Sequence, residues 1–166
     1  MGAVALGFWG SEAASARIHQ RTQERRLESL TSGPRRAGGA ARTEALRTGL
    51  VGRLEIARLG LATVVEEGVD QGTLRRAAGH LPGTAFPGET GNVVVAAHRD
   101  TFFRPLNAIR PGDSLRFVTP DGEFRYVVFA LDVVEPASTD VLEAGDGHQA
   151  TLITCYPFGY VGPARL

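Results

Sequence analysis

From residue 50 to the end of the chain, apolar residues come in short runs or in strict alternation with polar ones, each broken by Gly or Pro. The runs are GRLEIARLG, ATVVEEG, NVVVAAH, SLRFVT, EFRYVVFALDVVE and ATLITC. Segments of this length and period predict strands, and six in one span predict a mainly β domain. The TPDGE segment at 119–123 predicts a tight turn, because Pro presets an early turn position and Gly tolerates positive φ. Across that hairpin Leu115 and Phe117 alternate with Arg116, and Phe124, Tyr126 and Val128 with Arg125, Val127 and Phe129, as in a sheet with one better-buried face. Short helices fit between strands over 70–77, with Asp70 as the cap, and around 101–109.

The N-terminal third has a different pattern. Residues 11–30 read as a polar helix, with Arg17, Arg21 and Arg25 at four-residue spacing and Glu24 and Glu28 beside them. It has few large apolar residues, so the pattern predicts a helix without a core face: a solvated stalk, or a juxtamembrane basic segment if a membrane span precedes it. The first ten residues, MGAVALGFWG, are apolar but fall short of the roughly 20 that span a bilayer. They lack the basic start and cleavage region of a signal peptide, which leaves an ordinary terminus or the tail of a longer anchor. Trp9 fits the anchor. Residues 31–48 contain SGPRRAGGAAR and read as a linker. The expected organisation is therefore an anchor remnant and stalk helix at 1–30, a linker at 31–49 and the mainly β domain at 50–166.

Composition narrows the function classes. At 166 residues, 43% hydrophobic and 22% charged, the chain can bury one real core and excludes two large domains. Its 18 basic and 18 acidic residues cancel, so no overall basic field draws it to nucleic acid. A single Cys excludes an intramolecular disulfide framework and a multi-Cys zinc site, leaving a buried thiol, an intermolecular link or a nucleophile. No GxxxxGK[ST] loop or HExxH helix occurs, so no cofactor or metal is assigned. Glu66, Glu67, Asp70 and Glu89 form no dense Ca²⁺ loop and read as a solvated face.

Two strand ends carry candidate chemistry. Cys155 closes the run ATLITC ahead of the aromatic, Gly-rich loop YPFGYVGPAR, and the run NVVVAA delivers His98 to the polar turn HRDT. The two are 57 residues apart, ample for strands to cross a sheet and meet, and a protonated imidazole beside a thiol favours the nucleophilic thiolate. Acyl transfer would also need fixed donors where negative charge develops on the carbonyl oxygen, and the guanidinium of Arg165 is the candidate. Asp100 either orients a neighbouring side chain or caps local backbone donors. His19, His80 and His148 read as hydrogen-bonded surface residues.

These stretches resemble the sortases, membrane-anchored cysteine transpeptidases of bacterial cell surfaces. GHLPGTAFPGETGNVVVAAHRDTFFRPLNAIRPGD carries the histidine after its usual strand, and TLITCYPFGYVGPAR contains the TLxTC signature around the family's nucleophile. The similarity runs from about Val51 to the end, and HRDTFFRPL with TCYPF is most similar to the class D branch. The resemblance implies a closed eight-stranded β-barrel with short helices, the site in a groove at one end of the strands, and an N-terminal helix outside the barrel. It implies cleavage of a Leu-Pro-x-Thr-Gly-like sorting signal after the Thr, a thioester on the enzyme, and transfer of the acyl group to an amine. Carried over by position, Cys155 is the nucleophile, His98 the imidazolium that protonates the leaving amine, and Arg165 the donor to substrate carbonyls. Thr154, Ala97 and Asp100 are the candidate substrate-binding positions. The implied partners are surface proteins bearing a C-terminal sorting signal and an amine acceptor, with no nucleic acid. The implied location is the cell membrane, anchored through the N-terminus, with the catalytic domain extracytoplasmic.

Two departures from the family pattern accompany the resemblance. The family's Arg begins a final apolar strand, whereas here the chain stops at Leu166, so the last strand is expected to be truncated and a barrel seam open. The short N-terminal run is similar to the last part of the family's anchor. A hydrolytic cysteine peptidase using the same site, or a non-catalytic fragment that only binds a peptide, are the alternatives.

Overall fold

In a computed structural model, which describes residues 3–32, 40–135, 137–143 and 145–159, the six runs each supply a strand and a short seventh strand joins them. They are β1 (Leu50–Ile56), β2 (Leu61–Glu67), β3 (Ala78–His80), β4 (Gly91–Ala96), β5 (Ser114–Thr119), β6 (Gly122–Val127) and β7 (His148–Ile153). They pair in the order β6-β5-β1-β2-β3-β4-β7 as one sheet curled into a nearly closed barrel. Two pairings, β2 with β3 and β4 with β7, are parallel and so need long crossovers. The C-terminal residues on which the expectation of a truncated last strand rests lie outside those described.

The hydrophobic pattern accounts for the core. Leu54, Ile56, Val65, Val93, Val95, Phe103 and Phe117 are fully buried in one cluster. Each large side chain there contributes about 2 kcal/mol relative to exposure. The TPDGE turn joins β5 to β6 with Thr119 opposite Gly122, and Phe117 packs edge-on against Tyr126 across the hairpin. Asp70 caps helix α3 (Gln71–Arg76), its side chain accepting from the Gly72 and Thr73 amides. The expected helix at 101–109 is a short 3-10 turn, Arg104–Ala108.

Two elements differ from expectation. The alternation from 123 to 135 predicts one long strand, but β6 ends at Val127. Val128 still exchanges backbone bonds with Gly112 and Asp113, and past that point β5 offers no partner because it begins at Ser114. Val127, on the outward face of β6, and Phe129, Leu131 and Val133 beyond it stand exposed. Strand β3, only three residues long, is too short for its period to be read. Gly79 is required there, since a Cβ would lie 2.3 Å from the Gly68 carbonyl oxygen.

The N-terminal helix α1 (Ala3–Thr31) lies outside the barrel yet is docked on it, contrary to a solvated stalk. Gln20 accepts from the Val64 amide at 2.8 Å and donates to the Arg76 carbonyl at 2.7 Å. Glu66, 2% exposed, receives Gln23 at 2.9 Å, His19 at 2.6 Å and Arg76 at 2.9 Å. The contact is made by amides and a buried carboxylate, and this is why a search for an apolar stripe finds no face. Leu27 is buried with Leu50, Val64 and Ala45, and Leu30 packs against the same cluster. Ala45 belongs to helix α2 (Ala40–Leu46), which occupies part of the segment read as linker. Among the described residues no helix is long and apolar enough to cross a membrane.

The carboxylates read as a solvated face are engaged: Glu66 on α1, Asp70 in its cap, Glu67 on His80 and Glu89 on the Phe86 amide. At the start of β5, Arg58 donates to both oxygens of Asp113 and, at 2.6 Å, to the Ala108 carbonyl, fixing the turn into the hairpin. The Arg58 guanidinium first, and then the Arg110 amide, hold the Asp113 carboxyl down to about 2. A carboxyl whose value is lower folded than unfolded, where it is about 3.9, adds stability above the unfolded value and loses it as pH falls through the folded one. Asp113→Asn is therefore expected to lower the urea midpoint at neutral pH, with the gap to the parent protein closing between about pH 4 and pH 2. A pH-independent gap would assign the loss to packing instead.

Candidate active site

Strands β4 and β7 run side by side and parallel, paired in register from Gly91 opposite His148 to Ala96 opposite Ile153. Beyond this ladder the Ala97 amide donates to the Ile153 carbonyl at 3.1 Å, and the Thr154 hydroxyl donates to the Ala97 carbonyl at 2.8 Å. His98 and Cys155 each follow the last paired residue of their strand by two positions, so the register delivers them to the same end of neighbouring strands. Strand neighbours are spaced about 4.8 Å apart. The structure thus brings together two of the three residues expected to carry the chemistry. His98 is exposed, and Cys155 is a half-buried free cysteine. Arg165 lies outside the described residues.

The remaining candidates have definite places. Ala97 is 5% exposed and its side chain is part of the barrel core. Thr154 is half-buried, with its hydroxyl committed to the strand beside it. Asp100 is exposed and lies 3.5 Å from Arg99. Within the ladder, Thr151 donates to Asn92 at 2.9 Å, and Asn92 in turn donates to the Val141 carbonyl at 3.1 Å, tying the long crossover to the pair.

The connection that feeds β4 is held from below by a residue misread from sequence. His80 is fully buried rather than at the surface, its Nδ1 2.7 Å from Glu67 and its Nε2 2.9 Å from the Ala85 carbonyl. Its ring stacks on Phe86 with centroids 4.6 Å apart, and Arg42 covers the other ring at 4.2 Å. Glu89 closes this turn: the Phe86 amide, and then Arg42, hold its carboxyl below the usual range. Gly88 adopts positive φ against the Phe124 ring, where a Cβ would sit 2.1 Å from a ring carbon. His19 is paired with Glu66, and His148 with the Glu89 carbonyl. Among the described residues, no three His, Cys, Asp or Glu side chains gather as a metal ion would require.

A second missed residue is Arg99. It follows an exposed His and precedes an exposed Asp, yet it is 7% exposed and donates to the Pro157 carbonyl at 3.0 Å. No local signal in HRDT indicates this, because the partner is a backbone carbonyl 58 residues away.

Comparison with known proteins follows the same residues. The family model for the sortase domain matches residues 54–166. Sortase D of Bacillus subtilis (strain 168) is 35% identical over 114 residues, covering 68% of this chain and 58% of that protein. The chain thus matches less than two thirds of that relative's length. A Clostridium perfringens Sortase D5 transpeptidase structure superposes with a TM-score of 0.71 at 24% identity, covering 88% of this chain and 92% of its own. A Clostridium perfringens sortase C, solved with the C-terminal cell wall sorting motif, superposes with a TM-score of 0.62 at 28% identity, covering 66% and 63%.

The Thr154 hydroxyl bond makes the strand-end geometry testable without substrate. Thr154→Val keeps the shape and removes the donor. It is expected to cost about 1 kcal/mol, read as a lower urea midpoint with an unchanged m-value. An unchanged midpoint would show that the bond adds nothing to the strand pairing.

Proposed function

The chain belongs to the sortase family, with the match to Sortase D supporting its class D branch, and from that premise we propose that it is a cysteine transpeptidase acting on surface proteins. The observation that carries this reading is the common end of β4 and β7, where the exposed His98 and the half-buried Cys155 leave adjacent strands in the same register. Acyl transfer needs that pairing: a nucleophile, and a proton donor within reach of the same reacting carbon.

In the proposed reaction the Cys155 sulfur attacks the Thr carbonyl of a Leu-Pro-x-Thr-Gly-like signal. The carbonyl oxygen takes up negative charge, and Arg165 and backbone amides near Cys155 are the proposed donors to it. His98 gives its proton to the departing Gly amine as the C–N bond breaks, leaving a thioester on Cys155. An incoming amine attacks the thioester and gives its proton to His98 as the C–S bond breaks, so the acyl group leaves on the acceptor and the Cys155 thiolate is restored. Because the resting site is open to solvent at His98, water competes for the thioester, and the acceptor must exclude it by occupancy. The relative solved with a cell wall sorting motif supports a signal of that kind as substrate. We place the domain outside the cytoplasmic membrane, where such signals and amine acceptors meet, with anchoring through the N-terminus.

Intact-mass spectrometry of the full chain with a Leu-Pro-x-Thr-Gly-type peptide is expected to show an acyl adduct in the parent protein and none in Cys155→Ala. That variant should keep its stability within about 1 kcal/mol, since the thiol is only half-buried. Added amine should convert the adduct to a transpeptidation product, whereas release as free acid in both conditions would make the protein a hydrolase. Turnover surviving in Cys155→Ala would overturn the proposal.

A further inference from the structure

Arg99 is buried between two exposed neighbours, in a turn where a long cation could reach water at little cost. Removing a guanidinium from solvent is unfavourable unless its donors are met, so its position needs a reason. One reason is a span across the proposed site. Its backbone belongs to the turn after β4, next to His98, and its Nη1 donates to the carbonyl of Pro157, two residues past Cys155 on the loop after β7. Its Nε lies 3.5 Å from Asp100, which keeps the cation's charge partly balanced within the same turn.

The second clasp is the Thr154 hydroxyl on the Ala97 carbonyl. One cross-strand bond therefore comes just before the His98 and Cys155 pair and the other just after it. The ladder and the Thr154 bond fix the strand side, but a thiol at the start of a loop is placed only if the loop's far side is also fixed. We propose, on the footing of the Cys155 and His98 reading above, that Arg99 is a positioning residue. By holding the Pro157 carbonyl it sets the separation and orientation of the thiol relative to the imidazole, without touching the substrate. The planar fork matters as well as the charge, because it aims several donors in fixed directions from one buried group, which an ammonium on a flexible stem does not.

Such a role has a signature that a packing role lacks. The pH profile of Cys155 alkylation by iodoacetamide reports how the imidazole acts on the thiol and needs no knowledge of the substrate. His98→Ala should change that profile. Arg99→Met, while folded by circular dichroism, should move the profile toward that of His98→Ala and lower kcat on the sorting peptide by about 100-fold, with KM moved far less. Arg99→Lys, which keeps the charge and loses the fork, should lower kcat by about 10-fold and shift the profile in the same direction. If Arg99→Met does not fold, Arg99→Lys decides alone. A folded Arg99 variant with the parental profile and kcat would overturn the positioning role while His98→Ala still altered the thiol. An unaltered profile in His98→Ala would overturn the paired reading itself, and the positioning role with it.

Discussion

The site depends on one parallel strand pair. β4 and β7 are separated in sequence by the β5–β6 hairpin and a long crossover, and nothing local brings His98 near Cys155; the register of this ladder does. Because side chains alternate with a period of two, a slip of one residue would turn one of the pair to the other face. Several features guard against that slip. Val93, Val94 and Val95 are buried on both faces of β4, and Asn92 bonds both Thr151 and the long crossover. Thr154 and Arg99 close the open end. The barrel core supplies the rigidity, and a few directional bonds supply the register.

Most of the barrel was legible because its strands obey the two-residue period and are broken by Gly and Pro. The Thr119–Gly122 hairpin and the Asp70 cap follow from local chemistry and are found as expected. The candidate thiol and imidazole were legible for the same reason, each closing a long apolar run. The misread features depend on distant partners. His80 is buried by a carboxylate across a parallel pairing and by its own following loop, and Arg99 by a carbonyl on another strand's loop. The shortening of β6 is of the same kind: alternation persists in the chain, but the strand that would pair with it starts too late.

The N-terminal helix shows why polarity alone is a poor guide to exposure. Neighbouring Glu66 and Glu67 on β2 point to opposite sides, one receiving α1 and α3, the other receiving His80. A carboxylate at 2% exposure persists only because Gln23, His19 and Arg76 surround it. Two adjacent acidic residues thereby link the helical flank of the barrel to the connection leading into the site strand. Their role is architectural, and it would be invisible to any reading that counts charges as surface.

The long crossover between β4 and β7 also bears on when the thiol acquires its partner. Contacts between residues 57 positions apart close a large loop before they gain anything, so this ladder carries a larger closure cost than a local hairpin. Local hairpins such as β5 with β6 can form well before it. A chain caught between those stages carries a cysteine with no imidazole beside it. On the proposed function, Cys155 would gain its nucleophilic power only with completion of the barrel, and an unfinished chain would be spared acylation by whatever peptide it meets.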